Sequence, residues 1–131
     1  MQLNHPTVVL AFLLLAVPAL GAETDDCKAN DEWCETSIAD AEFQAADKEL
    51  NRVYRSLSKA LSEKQRKALV ASQRSWINFR HLDCTVQYSL IERGPPAILQ
   101  GSMLDCMNDR TVQRTLELKA FCVQVEGCVA P

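Results

Sequence analysis

The side chains best suited to chemistry are Asp47, Asn51, Gln73, Trp76 and Arg80. They sit in the blocks Ala46-Asp47-x-Glu49-Leu50-Asn51-x-Val53-Tyr54 and Gln73-Arg74-x-Trp76-Ile77-x-Phe79-Arg80. A carboxylate and a guanidinium form a strong, directional pair when partly buried, and two amides can bond beside them. Catalysis asks for more: a cleft, a nucleophile and a group poised near neutral pH. No partnered Ser or Cys nucleophile stands out, and His81 reads as an exposed helix residue rather than a general base. The five residues are therefore expected to be a structural polar cluster that clamps helix register. No catalytic residue, no metal site and no cofactor is expected.

The other reactive side chains are six cysteines: Cys27, Cys34, Cys84, Cys106, Cys122 and Cys128. Zinc ligation lacks its usual spacings, because there is no Cys-x-x-Cys pair and His81 is the only histidine past residue 22. An even count in a short exported chain reads instead as three disulfides. Export is expected from Thr7 to Leu20, an apolar run that ends in small residues. At about 14 residues it is too short to span a bilayer, which takes roughly 20, but it suits a secretory signal. Cleavage after Gly21 or Ala22 would remove residues 1–22 and leave 23–131 as a single domain. No cysteine directly follows the small residues, so no lipid or other stable membrane anchor is expected, and the product should be periplasmic or secreted.

Charge is laid out in blocks. Glu23 to Glu49 holds ten acids and two bases, Leu50 to Arg80 one acid and eight bases, and the remainder six acids and four bases, summing to a net charge of −3. Such blocks solvate helix faces and pair across a bundle, and they also create fields that attract a charged partner. A net-acidic exported chain with few aromatics is a poor nucleic-acid binder.

Three helices must position these residues. Ala46, Leu50, Val53, Tyr54, Leu57 and Leu61 recur at spacings of three and four, which predicts a first helix starting near Asn30 or Asp31. Ser62-Glu63-Lys64-Gln65 has the form of a capping box opening a second helix, which should end by Arg93-Gly94-Pro95-Pro96. A third helix is predicted from about Ser102 to Phe121, with Ser102 as its cap. Strand alternation is weak, so the fold class is all-α: an antiparallel long-helix hairpin with a third packed helix, stapled by disulfides.

The short turn sets residues equidistant from it side by side. Asp47 then faces Trp76 to Arg80, and Asn51 faces Gln73 to Trp76. Cys34 falls opposite Leu90, too far from Cys84 for a bond that needs Cα atoms within about 7 Å. The favoured pairing is Cys27–Cys34, Cys84–Cys106 and Cys122–Cys128, and its main rival joins Cys27 to a tail cysteine.

These blocks resemble the LprI-type lysozyme inhibitor domain family of small exported bacterial proteins. The likeness runs from about Cys27 to Leu118. Besides Cys34 and the Asp47 block, it takes in Leu69-x-x-x-Gln73-Arg74-x-Trp76-Ile77-x-Phe79-Arg80-x-x-x-Cys84. It continues with Cys106-x-x-x-x-Thr111-x-x-Arg114-x-x-Glu117-Leu118. The chain departs from the family pattern in its short Cys27–Cys34 spacing, in Gly94-Pro95 where Gly-Gly is usual, and in the additional Cys122 and Cys128.

The resemblance implies a disulfide-bonded helical binding protein, not an enzyme, whose protein partner is lysozyme. It marks no inhibitory residue. Inhibition would follow from occluding the sugar cleft, whose working groups are two carboxylates. Arg93, Pro95, Pro96, Ile98 and Leu99 form the candidate partner-binding loop, joining a cation, stiff prolines and two apolar residues in a preorganised feature. The competing reading has Ile98 and Leu99 capping the bundle core. An alternative function is a periplasmic interaction or immunity module that binds a different envelope-active protein.

Overall fold

The computed structural model describes residues 31–91 and 94–129. The expected signal segment, Cys27 and Arg93 lie outside them, so the Cys27–Cys34 expectation does too. Three helices follow in order: α1 (Glu32–Ala60), α2 (Glu63–Ser89) and α3 (Pro96–Val123), with no strand among the described residues.

The starts of α1 and α2 are local decisions. The Asp31 carboxylate accepts from the Cys34 amide at 3.2 Å, and Glu32 and Glu35 follow where the helix dipole favours negative charge. Ser62 caps α2 through the expected box: its hydroxyl accepts from the Gln65 amide, and its own amide donates to Gln65 Oε1 at 3.0 Å.

The third helix begins six residues before the expected Ser102. Pro96 occupies its first position, where a missing N–H costs nothing and a φ near −65° is already helical. Gly101, just before the expected start, is carried inside the helix. Pro95, Pro96, Ile98 and Leu99 therefore form the start of α3 rather than a loop, and Ser102 lies within the helix rather than capping it.

Packing is uneven. α3 lies closely along α1 and touches α2 more briefly, whereas α1 and α2 keep their backbones apart beyond the turn. Thr36 meets Ala97 at one end and Glu49 meets Lys119 farther along, so α1 and α3 run in the same direction with α2 antiparallel to both. The core is small: Leu50, Val53, Leu57, Leu69 and Leu118, with Tyr54, Trp76 and Leu61 packed against it.

Two disulfides join pairs of described residues. Cys84–Cys106 links α2 to α3 with Cα atoms 5.7 Å apart, and Cys122–Cys128 closes the tail at 5.3 Å. The stapled tail also contributes to the packing. It folds back, with Val125 and Cys128 on the core and the Ser56 hydroxyl donating to the Val129 carbonyl at 2.7 Å. Gly127 makes the reversal possible at φ +79°, a conformation that side chains resist.

Candidate functional site

All five residues of the expected polar cluster line one groove of about 390 Å³ between α1 and α2. The groove exists because bulky side chains, Tyr54 and Trp76 among them, hold the two helices apart. At one end stands Arg80, with its guanidinium carbon 4.9 Å from the Trp76 ring centre and 5.1 Å from that of Phe43. Nη1 donates to the Thr111 hydroxyl at 2.7 Å, and the same hydroxyl donates to the Met107 carbonyl at 2.6 Å. Asp47 comes no closer to Arg80 than 3.5 Å. Nε is buried without a hydrogen-bond partner, so the π faces carry much of what holds this cation.

The two amides bond on different sides of the groove. Asn51 donates to the Asp47 carboxylate at 2.8 Å and to the Asp47 carbonyl at 2.9 Å, both within α1. Gln73 accepts from Arg114 of α3 at 3.2 Å. Arg114 is the residue that reading the sequence for sites overlooked. It is only 7 % exposed, it donates to Ser72 and Glu117 as well, and its guanidinium lies 5.9 Å from the Trp76 ring centre. Its signal was visible as an arginine inside the Thr111–Leu118 stripe. Such a position means either a snorkelling stem or an interhelical bond, and here it is the bond.

What this arrangement does is hold three helices. A buried cation with several fixed partners and flanking rings stiffens a seam. Among the described residues no group of three or more His, Cys, Asp or Glu is placed to hold a metal ion. His81 is exposed on α2.

A second ion-pair node ties α1 directly to α3. Glu49 accepts from Arg52 at 2.7 Å and from Lys119 at 2.9 Å. The Arg52 hydrogen bond first and the Lys119 bond second push the Glu49 carboxyl down to about 2. A carboxyl lowered by folding adds stability that is present above its unfolded value of about 4.3 and is lost as pH falls toward the folded value. Acid titration should therefore lower the melting temperature between about pH 4.5 and pH 2, and Glu49→Gln should flatten that slope. An unchanged slope in the variant would remove Glu49 from the account.

The candidate partner-binding residues occupy a different place. A second groove, of about 280 Å³, runs between the N-terminal halves of α1 and α3. Its floor is Thr36 and Ala97, joined where the Thr36 hydroxyl shares its proton between the Glu32 and Ala97 carbonyls, at 2.8 and 2.9 Å. Its rim carries Glu32, Glu35, Glu42 and Asp105 beside the exposed Ile38 and Ile98. Ala97, rather than Ile98, is the residue buried against α1, and Leu99 is half-buried.

No helix among the described residues is long and apolar enough to cross a membrane. No curated protein and no solved structure matches the chain. Residues 27–118, which take in α1, α2, the groove between them and Arg114, do match a family, described as Lysozyme inhibitor LprI. With most of its length covered by that match, the chain belongs to the LprI lysozyme inhibitor family.

Proposed function

We propose that this protein is exported and inhibits a lysozyme by binding it and occluding its sugar cleft. The observation that carries the reading is the family match over residues 27–118. The family is one of inhibitors, which agrees with a helical domain whose polar side chains are spent on each other. The disulfides fit an extracytoplasmic setting, where thiols are oxidised.

The surface best suited to the partner is the end of the bundle formed by α1 and α3. Trp33, Ile38 and Ile98 are exposed there beside Glu32, Glu35, Glu42 and Asp105. Acids at an interface steer a cationic protein into encounter, and exposed apolar side chains supply the buried contact. Pro95 and Pro96 fix the entry to α3, so little order remains to be lost on binding. A lytic assay with the purified, oxidised protein tests this. Inhibition that weakens in Ile98→Asp is the expected result. No inhibition at high micromolar concentration would remove the reading for that lysozyme.

A further inference from the structure

The groove between α1 and α2 holds polar groups that the fold does not use. Of the charged residues lining it, Asp47 lies 3.5 Å from Arg80, and the second cation, Arg74, is left over. Arg74 is exposed on the α2 wall and makes no ion pair or side-chain hydrogen bond among the described residues. On the α1 wall the Tyr54 hydroxyl likewise makes no hydrogen bond among them. The groove therefore carries one uncompensated positive charge and a neutral donor across from it.

Charge beyond the groove has the same sign. Lys67, Val70, Arg74 and Ile77 recur at spacings of three and four, so Lys67 continues the α2 wall toward the turn. Arg55 stands one turn past Asn51 and extends the α1 wall in the same direction. From Leu50 to Arg80 the single acid is Glu63, against eight bases, and it is tied to Arg66 and Lys67. Such a field draws an anion toward the groove.

Leu50, Val70, Trp76 and Ile77 make the rest of the lining apolar, and at about 390 Å³ the groove has the size of a small-ligand pocket between helices. We propose that it binds a small amphiphilic carboxylate. The head lies on Arg74 and the Tyr54 hydroxyl, and the apolar body lies along Leu50, Val70 and Ile77. A guanidinium suits a carboxylate, because its N–H groups can meet both oxygens at once. Asp47, farther from the turn than Tyr54, repels a second carboxylate, which directs the head toward the basic rim. The groove lies apart from the α1–α3 end of the bundle, and its test does not involve lysozyme.

Trp33 and Trp76 are the two tryptophans of the chain, so W33F leaves Trp76 in the groove wall as the sole indole reporter. Trp33 is 68 % exposed, and its replacement disturbs no core contact. Titrating W33F with decanoate, below its micelle concentration, should change the fluorescence saturably. Decanol, which has the body without the charge, and acetate, which has the charge without the body, should each bind at least about tenfold more weakly. R74Q in the W33F background should weaken decanoate binding about tenfold, the worth of one exposed charge-assisted hydrogen bond. Decanol binding and the melting temperature should stay where they were, because Arg74 bonds to nothing in the described fold. No saturable response to decanoate, decanol or acetate binding as tightly as decanoate, or an R74Q variant that keeps its affinity would each overturn the proposal.

Discussion

Replacing Cys84 and Cys106 together by serine should lower the stability of the domain by about 3 kcal/mol. The bond closes a loop with a sequence separation of 22, and both cysteines are buried between α2 and α3. Cross-linking removes conformational freedom from the unfolded chain, and a loop of this size corresponds to roughly 3 kcal/mol. For a domain of about 100 residues each kcal/mol moves the melting temperature by about 4–8 °C, so a fall of roughly 15–20 °C is expected by circular dichroism. The small core makes the effect visible, since five residues form its buried centre. Opening Cys122–Cys128 instead, with a separation of 6, should cost less. A melting temperature within a few degrees of wild type in C84S/C106S would show that helix packing alone sets the placement of α3.

Arg80→Ala should cost about 3 kcal/mol, while Asp47→Ala should cost under about 1 kcal/mol. The two residues belong to one expected clamp, and their surroundings make them unequal. The Arg80 side chain is 11 % exposed and that of Asp47 is 41 % exposed, with 3.5 Å between their nearest atoms. An ion pair with one arm in water is screened and contributes little. Removing Arg80 also empties the space between Phe43 and Trp76 and takes a donor from Thr111, so packing and cation–π contacts are lost together. Urea unfolding of the two single variants and the double variant separates the contributions, with a small coupling energy expected between the two sites. Equal losses in the two single variants would mean that the ion pair itself holds the seam.

Much of the fold was legible in residue order because the relevant forces act over short stretches. The Asp31 cap, the Ser62–Gln65 box and the three–four spacing of Leu50, Val53, Tyr54 and Leu57 each involve neighbours along one helix. The Cys84–Cys106 and Cys122–Cys128 pairings followed from how near the helix ends and loops bring those residues. The start of α3 was misplaced for an equally local reason. Proline and glycine usually punctuate helices, yet Pro96 is favoured at a first position and Gly101 is tolerated at about 1 kcal/mol once the helix is packed on α1.

The polar cluster was half legible. Counting from the turn brought Asp47, Asn51, Gln73, Trp76 and Arg80 to a common groove, which is where they stand. It did not assign their bonds, because it considered two helices and the partners come from the third. Thr111 takes the guanidinium of Arg80, and Arg114 takes the amide oxygen of Gln73.

Residue order alone determined three helices, the caps of α1 and α2, two described cross-links and membership of an inhibitor family, since capping atoms, periodicity and motif spacing all sit within short runs of chain. Tertiary structure alone decided that α3 rather than α2 lies closest along α1, and that Arg80 rests between two rings rather than on a carboxylate. Both outcomes turn on distances between helices. Those distances are set by the bulk of side chains such as Trp76 and Tyr54 meeting across the bundle, and no spacing along a single helix contains them.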